Sequence, residues 1–225
     1  RENVTSLIGT PGFKLLADVV DPLVYADSLN MPKLIVTATG DEFFLPDDDW
    51  YWWGALKYEK HRLMIQNAEH SMATGVLEIF DGAQAFFQSL IMDTPRPVHD
   101  WSIDPVDGTL RMVSGTKPSK VLLQYAKTVP ESPNRRDFRM IKGIASCQPP
   151  AVKINDEACF NPIWWSSVEV QPVKILDNKY YYEHSAAAPT DGNWIGFFFE
   201  MQYPGPPGGG NMTFRTTTQV SIPCA

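Results

Sequence analysis

Basic residues are in short supply in this chain of 225 residues: 19 Lys and Arg stand against 26 Asp and Glu, for a net charge of −7. Nucleic acid is held by clustered Lys and Arg on its phosphates, so this balance excludes a nucleic-acid partner. The basic knot of Arg135, Arg136 and Arg139 is interrupted by Asp137 and Phe138 and reads as a solvated turn and strand edge. Long apolar runs are also missing. None approaches the roughly 20 residues of a membrane-spanning helix, so no membrane span is expected. Cysteine is scarce at 3 residues, too few for a disulfide-scaffold miniprotein, and 15 Gly and 19 Pro without a period exclude collagen and low-complexity disorder. Metal-ligand spacing is absent as well: Asp47, Asp48 and Asp49 adjoin one another and read as the acidic start of a helix. Neither a metal nor a cofactor is expected, and His61, His99 and His184 sit in no recognisable partner motif.

What is present is a sequence with 44% hydrophobic and 20% charged residues, enough to bury a core. Its patterning changes near Pro95-Arg96-Pro97, which predicts a boundary between residues 1–93 and 94–225. Before it, the apolar run Lys33–Thr39 closed by Gly40 reads as a buried parallel strand, and Arg62–Gln66 as the next. A helix is predicted over Asp47–Lys57. A longer amphipathic helix follows His70, with Met72, Val76, Ile79, Phe80, Ala83, Phe86, Phe87, Leu90 and Ile91 recurring at three- and four-residue steps. After Pro97 the helical period gives way to short strands at Leu110–Val113, Val121–Tyr125, Phe138–Ile141, Ile163–Val170, Tyr180–Tyr182, Trp194–Tyr203 and Phe214–Ile222. Turn signals at Asp107-Gly108 and Asp191-Gly192 complete the pattern of an antiparallel, immunoglobulin-like β-sandwich. The expected architecture is therefore α/β plus all-β: the tail of a parallel α/β sheet, then the sandwich.

Two residues carry the chemistry. Asp41 and His70, 29 positions apart, each lie just past the carboxyl end of a predicted parallel strand, where open α/β sheets place their sites. Hydrolases of that class present Ser, Asp and His in chain order, and Thr39-Gly40-Asp41-Glu42 and Asn67-Ala68-Glu69-His70-Ser71 match the second and third stations. A carboxylate beside the imidazole holds one tautomer and stabilises its charged form, so that His70 can take a proton from a serine and return it to the leaving group. Asp41 is preferred over the neighbouring Glu42 and Glu69 because it directly follows the strand-ending Gly40. Phe43, Trp50 and Trp53 are candidates for a substrate-pocket wall, with core packing as the competing reading.

The nucleophile is missing from this sequence. No Gly-x-Ser-x-Gly elbow occurs, and Ser71 stands on the wrong side of its own base. Two explanations compete: the chain is the C-terminal part of a longer polypeptide whose N-terminal half supplies the serine, or the protein does not catalyse. Asn3-Val4-Thr5 and Asn211-Met212-Thr213 are glycosylation sequons, and with Cys147 and Cys159 bracketing a Pro-containing loop they favour a secreted, extracellular chain. Cys147 with Cys159 is the first choice for a disulfide, leaving Cys224 free or paired outside the chain.

The segments Asp21–Asp27, Met31–Pro46 and Asn67–Ser71 resemble the PhoPQ-activated pathogenicity-related family, with a looser likeness through Asp137-Phe138-Arg139 and Pro204-Gly205 to the end. The resemblance implies a secreted α/β-hydrolase domain followed by a β-sandwich, with Asp41 and His70 at the acid and base positions. It also implies that the serine lies in an upstream half. The leading expectation is a secreted serine-hydrolase-like protein of peptidase or esterase type, inactive as the isolated chain. One branch of the family is known for extracellular signalling. The alternative is therefore a secreted signal that represses proliferation through a receptor, on a non-catalytic hydrolase scaffold.

Overall fold

The computed structural model describes residues 4–131, 135–216 and 218–221, so Asn3, Ile222 and Cys224 lie outside the described residues. It is a mixed α and β protein made mostly of sheet. The chain divides into two compact units. One holds the described residues through Lys33 together with Asp49–Lys60; the other holds Leu34–Asp48 and the described residues from His61 onward.

The smaller unit is organised by helix α1, Pro11–Val20, which the apolar periodicity did not single out. Thr10 caps it by accepting from the Phe13 N–H at 3.2 Å, and Pro11 occupies the first turn, where no amide donor is needed. Asp21 ends it and accepts from Leu23 N–H at 2.9 Å to start a 3₁₀ stretch, Pro22–Ser28. The helix predicted over Asp47–Lys57 is not formed: a 3₁₀ turn spans Asp48–Tyr51 and hydrogen-bonded turns follow it. Four consecutive aromatics ending at Gly54 offer no single apolar stripe, and aromatic side chains lose rotamer freedom in a helix.

Strands β1 (Lys33–Ala38) and β2 (Lys60–Ile65), which belong to the larger unit from Leu34 and from His61 onward, pair side by side. Lys33 N–H donates to the Glu59 carbonyl and Thr39 N–H to the Ile65 carbonyl, so partners rise together and the two strands run parallel. Helix α2, Val76–Ile91, buries Gly82, Ala85, Phe86 and Ser89. The stripe in the sequence is wider than the face that is covered. Phe80, Phe87 and Ile91 remain exposed, while Gly82 lets α2 approach so closely that a Cβ there would come within 2.7 Å of Leu63.

Two antiparallel sheets share the main core. One orders β10 (Lys174–Leu176), β11 (Lys179–His184), β4 (Leu110–Ser114) and β3 (His99–Ile103); the other orders β13 (Met212–Arg215), β12 (Ile195–Tyr203), β5 (Lys120–Lys127) and β9 (Ser166–Glu169). Leu110, Met112, Val121, Leu123, Tyr182, Phe197, Phe199 and Met201 meet between them, joined by Ala85 and Phe86 of α2. Strand β12 is buried on both faces. Its Phe198 faces away from that core and packs with Ala126, Phe138, Ile163, Trp165 and Met64 of β2, which seats the parallel pair on the second sheet. A small sheet of β6 (Ile141–Gly143), β7 (Val152–Lys153) and β8 (Ala158–Phe160) carries the Cys147–Cys159 disulfide, with Cα atoms 6.1 Å apart.

Three predicted strands are shorter than expected, each because its backbone bonds go elsewhere. Phe138–Met140 is not strand: Met140 N–H donates to Gly40 and its carbonyl accepts from Asn161. Ile163–Trp165 is also outside β9, since a side chain from the β2 end engages the Trp165 backbone. The run from Phe214 breaks into β13 and β14 (Gln219–Ser221), and the pairing with β12 slips by one residue between Glu200 with Arg215 and Phe197 with Gln219.

A ring stack crosses this core: His61 lies 4.1 Å from Phe214, and His99 lies 5.7 Å from Phe214 and 6.1 Å from Tyr203 by ring centroids. His99 keeps some surface, but its Nδ1 is fully covered, and burial, reinforced by His61, lowers its pKa to about 3. An unfolded histidine titrates near 6.5, so this group favours the fold above that value and the contribution is lost as pH falls from about 6.5 toward 3. Denaturant unfolding is expected to show about 1–2 kcal/mol less stability at pH 5 than at pH 7 from this residue. His99→Phe should remove most of that slope. An unchanged slope in the variant would assign the acid sensitivity to other groups.

Candidate functional site

The ends of β1 and β2 are laced together before either functional side chain is reached. Gly40 N–H donates to the Ala68 carbonyl and Asn67 N–H to Thr39 Oγ1, both at 2.9 Å. Gly40 is needed here. A Cβ would come within 2.7 Å of Met140 Cβ and 3.0 Å of the Ala68 carbonyl, neither of which can withdraw without moving backbone.

Asp41 follows at once, with its side chain 1% exposed. Its Oδ1 accepts from the Phe43 and Phe44 amides at 2.8 and 3.0 Å, which fixes the carboxylate before it meets a partner. Both oxygens then lie 3.1 Å from His70 Nδ1. A carboxylate only accepts, so this arrangement puts the ring proton on Nδ1 and leaves Nε2 as an acceptor. The His70 side chain is 45% exposed, open enough for Nε2 to meet a reacting group. Phe43 packs edge-on to the imidazole at 4.7 Å between centroids and Phe44 lies at 5.9 Å, so the two rings flank His70.

The neighbouring acids have other duties. Glu42 accepts from the His70 backbone N–H at 2.8 Å and does not address the ring. Glu69 accepts from the Ser71 amide at 2.7 Å and from the Ser71 hydroxyl, which occupies that serine. Burial acts to raise the Glu69 pKa, but the Ser71 hydroxyl and the Ser71 and Ala73 amides outweigh it and hold the carboxyl below its ordinary value. Trp50 and Trp53 belong to the smaller unit: Trp50 is exposed, and the Trp53 ring lies 5.1 Å from the Lys60 ammonium. Asn211 is exposed. Among the described residues no group of His, Cys, Asp and Glu could hold a metal ion, and no helix is long and apolar enough to cross a membrane.

Sequence reasoning passed over the residues that hold the loops. Asn67 adopts a left-handed backbone, φ 54°, and its carboxamide bonds the backbone of Trp165 twice: Oδ1 accepts from the N–H at 2.7 Å and Nδ2 donates to the carbonyl at 2.9 Å. An asparagine in the turn that closes a strand is a legible hint of left-handed backbone. Its partner almost a hundred residues away carries no local signal.

The family model described as PhoPQ-activated pathogenicity-related protein matches residues 1–139, a span that includes Asp41 and His70. Autocrine proliferation repressor protein A of Dictyostelium discoideum is 32% identical over 211 residues, covering 90% of this chain and 39% of that protein. The chain thus spans about two fifths of that relative's length. No solved structure matches. With a family model covering well over half of the chain, including both laced loops, the chain belongs to the PhoPQ-activated pathogenicity-related protein family.

Proposed function

We propose that this chain supplies the acid and base of a secreted serine-hydrolase-like protein, of peptidase or esterase type, whose nucleophile lies in a part of the protein beyond these 225 residues. The observation that carries the reading is the approach of both Asp41 oxygens to His70 Nδ1 at 3.1 Å, on a carboxylate already held by two amides. In this reading His70 Nε2 removes the proton of a serine hydroxyl as it attacks an acyl carbon, then delivers that proton to the leaving alcohol or amine. Asp41 keeps the tautomer and stabilises the imidazolium formed between those steps. Phe43 and Phe44 form an apolar wall beside the base.

The partner is the N-terminal half of the hydrolase domain. Leu77, Phe80, Phe87 and Ile91 on α2 are 63–81% exposed, a surface that soluble domains usually cover. Secretion is supported by the Cys147–Cys159 bridge and by the exposed Asn211 in its sequon. A fluorophosphonate probe is expected to label a serine of the complete protein and to leave residues 1–225 unlabelled when they are expressed alone. Labelling mapped to a serine within these residues would refute the division of the triad.

A second reading has one specific support, the name of the matched relative, which describes an autocrine repressor of proliferation. On that reading the protein is an extracellular signal acting through a cell-surface receptor, and the hydrolase scaffold has lost turnover. Another residue in place of the elbow serine, with the Asp41–His70 contact retained, decides for it.

A further inference from the structure

We propose that Asn67 is the positioning residue for His70, and that it works by fastening the base's loop to the β-sandwich. This rests on the hydrolase reading. Asp41 offers two oxygens at the same 3.1 Å from Nδ1, so the carboxylate holds the ring without choosing between two tilts. The direction of Nε2 is therefore left to the flanking Phe43 and Phe44 rings and to the backbone that carries His70. That backbone is gripped at His70 by Glu42 and, three residues earlier, by Asn67.

Asn67 makes four hydrogen bonds, and its carbonyl accepts the one from Thr74 Oγ1 at 3.2 Å. Its amide N–H reaches Thr39 Oγ1, on the acid's side of the site, while its carboxamide closes a two-bond ring with the Trp165 backbone, as a neighbouring strand would. Trp165 is a fixed reference. It is 1% exposed, its ring sits 5.5 Å from Phe138 and 5.3 Å from Phe198, and a Cβ on Gly196 would come within 2.9 Å of the indole. One asparagine thus ties the acid loop, the base loop and the sandwich core together, and its left-handed backbone disfavours most other residues there. Gln66 Nε2 also donates to the Trp165 carbonyl at 2.7 Å, but its loss leaves the Asn67 ring intact.

The test is nitrogen NMR of the complete protein labelled with ¹⁵N-histidine. Wild type is expected to show His70 as a single Nδ1–H tautomer with a low-field, slowly exchanging proton. Asn67→Gly removes the side chain without straining a positive φ. It should abolish that proton signal and average the two tautomers. Asn67→Asp keeps the acceptor for the Trp165 amide and should retain the signal with faster exchange. Gln66→Ala should leave it unchanged, although it loses a bond to the same carbonyl. A wild-type His70 signature in a folded Asn67→Gly, or unaltered exchange in Asn67→Asp should the glycine variant not fold, overturns the proposal. Absence of the Nδ1–H signature from wild type would instead overturn the hydrolase reading.

Discussion

On the hydrolase reading proposed above, replacing His70 with alanine in the complete protein is expected to abolish fluorophosphonate labelling, with turnover falling by about 10⁶-fold, the loss that follows removal of a triad histidine. On that reading nothing would accept the serine proton during attack without the imidazole, and any residual rate would come from substrate binding and oxyanion stabilisation alone. Asp41→Asn should cost about 10⁴-fold, since an amide can stabilise the wrong tautomer. Both variants should keep their fold: His70 is a half-exposed side chain, and an asparagine at 41 retains the carbonyl oxygen that accepts from the Phe43 and Phe44 amides. The readout is labelling rate with far-UV circular dichroism as the folding control. Labelling of His70→Ala at the wild-type rate would remove His70 from the chemistry.

Arg215→Met is expected to be the most damaging substitution for stability, by about 3–5 kcal/mol in urea unfolding. The Arg215 side chain is 2% exposed and donates to Glu200 Oε2 at 3.1 and 2.8 Å, to Glu78 of α2 and to the Met64 carbonyl of β2. Glu200 also accepts from Gln124 at 2.7 Å and from Gln202 at 2.9 Å. Burial pushes the Glu200 carboxyl up, but Arg215 and the two amides outweigh it and hold the group below the usual carboxylate range. Removing the guanidinium leaves that carboxylate buried against amides alone and frees the middle of β2 from the sandwich. Arg215→Met combined with Glu200→Gln should recover part of the loss. A single-variant effect below about 1 kcal/mol, the scale of a surface pair, would show that the cluster does not hold the strands together.

Legibility followed the range of the forces involved. A strand ending in Gly40-Asp41 and another ending before His70 could be read because turn chemistry and apolar runs are written within a few residues of where they act. The strands β4, β5, β11 and β12 were legible for the same reason, and so was the existence of α2. The helix expected at Asp47–Lys57 failed because acids at a helix start do not substitute for an apolar face. Helix α1 was overlooked although Thr10-Pro11 marks its start.

The amino-acid order alone placed Asp41 and His70 just past two strand ends, since apolar runs and the turn residues that close them are local facts. Folding settled everything that depends on a partner far along the chain: the 3.1 Å approach of acid to base, the Glu42 hold on the His70 amide, the Asn67 ring on Trp165 and the Arg215 cluster joining α2, β2, β12 and β13. Hydrogen bonds and buried charges act over a few ångströms in space and leave no period in the sequence, so their pairings become visible only when the core has brought the strands together.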